Sequence, residues 1–106
     1  MILHVVLFEP KPHLTAIERD RFRRALETAF REIPSIREAR VGRRVLHGAG
    51  YEAAIRESFE YAAVIGFDDL EGLRAYLEHP AHRELGALFN TSALRMLVYD
   101  YEAAGA

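Results

Sequence analysis

The residues best suited to chemistry lie in Tyr76-Leu77-Glu78-His79-Pro80-Ala81-His82, where a proline separates two histidines and a tyrosine precedes the second by six positions. Proline fits the first turn of a helix, because the backbone N–H it lacks has no intrahelical partner there. His82 then falls in the opening turn, where unpaired N–H groups and the positive end of the helix dipole disfavour an imidazolium. A ring held neutral at pH 7 can take a proton. His82 is therefore a candidate general base acting next to a carbonyl, and Tyr76 the candidate donor to the oxyanion that would form. The alternative for such a histidine is a local hydrogen bond without chemistry. His79 and His82 also invite a metal reading, but Pro80 separates them and no carboxylate has the spacing of a third ligand. His79 is expected to cap and face water, and no metal or cofactor is expected.

These groups need walls. His82, Leu85 and Phe89 recur at i, i+3 and i+7, which turns the imidazole toward the apolar side of its helix. His4 interrupts an apolar strand on the parity of Ile2, Val6 and Phe8, and Tyr61 shares a strand face with Phe59 and Ala63. Neighbouring strands would set His4 beside Tyr61 and bring both to Tyr76 and His82. Two imidazoles and two phenols against Phe59, Leu85 and Phe89 make a candidate pocket for a small hydrophobic or aromatic molecule, phenolic or carbonyl in character. His13 and His47 sit beside Pro12 and Gly48 in loops and are read as solvated.

Half of the 106 residues are apolar and 28% are charged, so a single packed domain over residues 1–106 is expected. With no cysteine there is neither a disulfide framework nor a thiolate metal site. A net charge of −2 argues against a nucleic-acid binder. Arg19, Arg21, Arg23 and Arg24 alternate with Glu18, Asp20 and Glu27, which suits a solvated helix face with pairs such as Arg23 to Glu27. The opening run Met1 to Phe8 lacks a basic n-region and is too short to span a bilayer, so it reads as a strand, with no membrane partner and the cytoplasm as the default location.

Ile2 to Phe8 forms the first strand and Pro10 and Pro12 end it. Thr15-Ala16-Ile17-Glu18 has the form of a capping box, and Phe22, Leu26, Ala29, Phe30 and Ile33 continue a helix that Pro34 closes. Ile36 to Leu46 reads as a half-exposed edge strand with a bulge at Gly42, followed by a mobile connection through Ser58. Phe59 to Phe67 is the next strand. Asp68 is the expected cap of a helix with a Leu70, Leu73, Leu77 stripe, broken at His79-Pro80, and a second helical piece runs to Phe89. Ser92 to Glu102 closes the domain. The order β-α-β-β-α-β predicts a ferredoxin-like α+β sandwich, a four-stranded antiparallel sheet with helices on one face.

The first strand is apolar on both sides, with Ile2, Val6 and Phe8 on one and Leu3, Val5 and Leu7 on the other. Helices on one face bury only half of that set. The simplest cover for the rest is the same face of a second copy, which predicts a homodimer through the sheet.

The whole pattern resembles the stress-responsive α/β barrel, or Dabb, family, a branch of the dimeric α/β-barrel superfamily. The resemblance rests on Ile2 to Phe8, Arg40-Val41-Gly42, Phe67-Asp68-Asp69, Tyr76 to His82 and Val98-Tyr99-Asp100-Tyr101. It implies ferredoxin-like protomers that pair sheet to sheet into a barrel. Most of the family has no assigned reaction. A plant polyketide cyclase in it is similar in carrying the tyrosine and histidine that match Tyr76 and His82, viewed there as oxyanion or ligand partner and general base of a cofactor-free aldol cyclisation, and a histidine matching His4. At Tyr61 this chain departs, since the cyclase has another histidine there. The expectation is a homodimeric binder of a small hydrophobic molecule, with a cyclase-like lyase and a non-catalytic structural stress protein as the alternatives.

Overall fold

The apolar opening run becomes β1 (Ile2–Pro10), an interior strand of a four-stranded antiparallel sheet in this computed structural model, which describes residues 1–105. The remaining elements are α1 (Ala16–Glu32), β2 (Ile36–Arg43), α2 (Gly50–Ala54), β3 (Tyr61–Phe67), α3 (Leu70–Glu78), α4 (Pro80–Ser92) and β4 (Ala93–Glu102). The sheet order is β2-β3-β1-β4, the ferredoxin-like arrangement. Register is fixed by pairs such as His4 with Ile65, Phe8 with Tyr61, Val6 with Val98 and His4 with Asp100.

Helix boundaries follow local chemistry. Thr15 and Glu18 form the capping box of α1 through reciprocal side-chain to backbone bonds of 3.1 Å each. His79 ends α3 and starts α4 at once, and its Nδ1 accepts the Ala81 N–H at 3.0 Å. Pro80 follows in the first position of α4, where no N–H is needed. Two local expectations are corrected. Asp69 caps α3, accepting from the Gly72 N–H, while Asp68 is drawn away into an ion pair with Arg37. Leu73 and Tyr76 supply the buried stripe of α3, whereas Leu70 and Leu77 are exposed, because Tyr76 occupies the position over the sheet that the leucine spacing assigned to Leu77.

The sheet also differs at its edges. Gly42 pairs regularly with Ala62, and the bulge lies instead between Ile36 and Glu38, beside the turn out of α1. β2 stops at Arg43, so Val45 and Leu46 are exposed loop residues, and the connection contains the short helix α2. β3 begins at Tyr61, two residues later than the alternation suggested.

Helices cover one face. The core between the two layers contains Val6, Phe8, Ile65, Phe67, Leu73, Tyr76, Leu85 and Phe89, joined by Leu26, Ala29 and Ile33 of α1 and its cap. On the reverse face Leu3, Val5 and Leu7 are half-buried and Val64, Tyr99 and Tyr101 are exposed. An apolar strand face is thus left open. No helix among the described residues is long and apolar enough to cross a membrane.

Candidate acid-base site and the adjoining cavity

Tyr76 is the centre of the polar cluster. Its ring lies 4.5 Å from the His82 ring, 5.5 Å from the His4 ring and 5.2 Å from Phe67, measured between centroids. Burial alone pushes its hydroxyl up to about 12, so the phenol stays protonated and able to donate at any ordinary pH. The α3–α4 break creates this contact: the chain turns at His79-Pro80 and folds the first turn of α4 back onto the last turn of α3.

That fold-back also fixes the tautomer of His82. Its Nδ1 donates to the Leu77 carbonyl at 3.1 Å, and because a carbonyl only accepts, Nδ1 carries the proton. The lone pair of the neutral ring is therefore on Nε2. Burial holds the imidazole below its ordinary value, the Leu77 bond opposes this, and the nearby His4 adds to the lowering. A neutral, half-buried imidazole with one nitrogen anchored and the other unprotonated has the form of a general base.

His4 is buried on the covered face of β1, and its Nδ1 donates to the Asp100 carboxylate at 2.5 Å. Asp100 is the member of this cluster that the sequence did not single out. Its signal was its parity with Met96 and Val98 on β4, which register places opposite β1 on the helix side. The carboxylate orients the His4 ring toward Tyr76 from an exposed edge strand.

The other candidates fall elsewhere. Tyr61 lies opposite Phe8, so it is four residues along β1 from His4, roughly 13 Å at strand spacing. The expectation that His4 and Tyr61 sit side by side is corrected by this register. Tyr61 instead stacks on Phe8 with centroids 5.2 Å apart and accepts a hydrogen bond from Arg43 at 3.0 Å. Phe59 precedes β3 and lies in a surface groove with Leu7, Ile55 and Ala62, under the Arg95 guanidinium. Leu85 and Phe89 are buried on α4, with Phe89 packed edge-on against Phe8 at 5.0 Å and Phe22 at 4.7 Å.

Beyond that aromatic contact is a cavity of about 480 Å³ between α1 and the sheet. Phe8, Leu14, Phe22, Leu26, Val41, Tyr61 and Ala93 make its apolar lining, and Arg19, Asp20 and Arg23 of α1 stand at its mouth. His4, Tyr76 and His82 do not line it. Phe8 forms part of its wall and packs on Phe89, seven residues after His82 on the same helix. The helix-covered face thus carries a polar cluster toward one end and an apolar cavity toward the other. Among the described residues no three histidines, aspartates or glutamates are grouped to hold a metal ion.

A ferredoxin-like sandwich with a histidine-tyrosine cluster under its helix break and an apolar cavity beside α1 defines the class. The chain belongs to the Dabb family, the stress responsive A/B barrel domain, whose family model matches residues 2–103. It is 20% identical over 100 residues to olivetolic acid cyclase of Cannabis sativa, covering 94% of each chain. Among solved structures it is similar to a dimeric ferredoxin-like protein of unknown function from a Jannaschia species, at 27% identity, 96% and 98% coverage and a TM-score of 0.74. The hydroxynitrile lyase of Passiflora edulis matches at 17% identity, 99% and 94% coverage and a TM-score of 0.79, a likeness of fold.

Proposed function

We propose that this chain is a homodimeric binder of a small hydrophobic or aromatic molecule, held in the cavity between α1 and the sheet. The carrying observation is the cavity itself, about 480 Å³ with a mainly apolar lining, a size and character suited to a small ligand. The open apolar face of β1, β3 and β4 supports pairing with a second copy, as does the dimeric state in the name of the Jannaschia relative. Titration of isotope-labelled protein with a medium-chain alcohol or an alkylphenol tests the binding reading. Shifts of resonances from Phe8, Phe22 and Tyr61 support it; shifts confined to the open sheet face overturn it.

A second reading is favoured by the anchored His82. With Nδ1 fixed to Leu77 and Nε2 free, His82 would take a proton adjacent to a carbonyl, and the Tyr76 hydroxyl would donate to the oxygen as charge develops. The names of the Cannabis and Passiflora relatives, a cyclase and a lyase, support a catalytic reading. A substrate seated in the cavity must reach past Phe8 and Phe89 to meet His82. Turnover of an aromatic or β-ketoacyl substrate that is lost in His82→Ala, with the melting temperature almost unmoved, supports catalysis. Equal turnover in the variant refutes it, and a protein with stability or affinity changes but no turnover is a binder or structural protein.

A further inference from the structure

The mouth of the cavity carries an unequal set of charges. Asp20 is held by two guanidiniums, Arg23 at 2.6 Å and Arg24 at 2.9 Å, and Arg23 also donates to Glu27 at 2.6 Å. Glu18 is engaged with the Thr15 backbone N–H in the capping box. Arg19 lines the cavity, is exposed, and has no carboxylate within ion-pair distance among the described residues. The apolar interior is therefore entered past one uncompensated cation. A guanidinium pairs in bidentate fashion with a carboxylate.

We infer that Arg19 selects the ligand's head group, so that the cavity takes an apolar chain ending in a carboxylate, a medium-chain fatty acid being the simplest example. This rests on the ligand-binding reading and names its substrate class. A monoanion fits better than a phosphate dianion, because among the described residues Arg19 is the one cation of the lining without a carboxylate partner and the Asp20 carboxylate stands at the same mouth. The apolar body supplies affinity through burial, and Arg19 supplies orientation, with the head outward and the tail against Phe8 and Phe22.

Calorimetry with the whole protein, using decanoate, 1-decanol and decyl phosphate as probes, tests this at low salt. Arg19→Gln is expected to weaken decanoate binding about threefold, the scale of an exposed ion pair, while 1-decanol binding stays unchanged. The difference should vanish at about 0.5 M salt, where exposed charges are screened. Arg31→Gln, on α1 but away from the cavity, controls for total charge and should leave decanoate binding intact. Equal losses in the two variants, an unchanged affinity in Arg19→Gln, or tighter binding of decyl phosphate than of decanoate overturns the assignment to Arg19 while leaving a cavity that binds 1-decanol in place. If none of the three probes binds, the ligand-binding reading itself falls, and this inference with it.

Discussion

On β1, Val6 and Phe8 point into the helix layer and are 6% and 5% exposed, while Leu3, Val5 and Leu7 on the reverse side stay half-buried although they are no less apolar. Composition does not separate the two faces. What separates them is which one the chain can cover by itself, since both crossover helices pack on the same side. On β1 the covered face also accepts one titratable group, His4, and β4 supplies its partner, Asp100. The open face carries Val64 of β3 and Tyr99 and Tyr101 of β4 beside Leu3, Val5 and Leu7, with Glu38 and Arg40 of the edge strand β2 at its margin, an apolar centre with a charged rim as a surface made for a like surface would have.

The largest test of this contrast is a charge on each face. Val6→Asp buries an unpaired carboxylate in the core and should cost several kcal/mol, enough to unfold much of a domain this size, read by circular dichroism and urea titration. Val5→Asp should keep the folded spectrum and abolish the pairing proposed through this face, so that light scattering reports a dimer for the wild type and a monomer for the variant. Unfolding of both variants alike, or an unchanged dimer in Val5→Asp, breaks the comparison.

A smaller effect comes from the partner of His4. Asp100→Ala should cost about 1 kcal/mol, less than the full worth of a hydrogen bond to a charged group, because Asp100 is 42% exposed and water replaces part of what is lost. The His4 ring resonances should shift with it, and no shift would mean that the pair does not hold in solution.

Two further effects depend on pH and have opposite signs. His82 is held below 6.5 in the folded chain, so the unfolded chain binds more protons as pH falls from about 6.5 toward the folded value, and stability declines across that window. The difference between wild type and His82→Gln in urea midpoint should therefore depend on pH below 6.5 and be flat above it. Tyr76 is raised from 10.0 to about 12, so its stabilising effect is present below pH 10 and is lost as pH rises toward 12. Tyr76→Phe should lessen that alkaline decline, and an identical decline in the variant would contradict the buried phenol.

Much of the architecture was legible because it is written in local chemistry. The capping box at Thr15 and Glu18, the prolines after β1 and α1, and the His79-Pro80 break each act within a few residues. The two-sided β1 announced an unpaired face. Tyr76 and His82 were likewise found together, since a single helix break sets their distance. The misplaced residues are those whose neighbours depend on strand register. Adjacency of β1 and β3 did not say which residues oppose, and a four-residue offset carried Tyr61 from the polar cluster to the cavity. Asp100 was passed over for the same reason, since its parity with Met96 and Val98 gains meaning only once register sets it opposite His4 of β1. Phe59 matched the alternation of β3 but falls outside it.

The bond between His4 and Asp100 joins positions 96 residues apart, β1 to β4, which pair from Ile2 opposite Glu102 to Pro10 opposite Ala93. Such pairing closes late, because the longest loop in the chain must be gathered before it gives anything back. During synthesis β1 emerges before β4, with the three helices and two strands of the domain that separate them, and the short α2, made in between. The imidazole of His4 consequently reports the completion of folding, and in refolding experiments its final resonance should emerge in the same phase as amide protection along β1 and β4, after the α1 helix has formed.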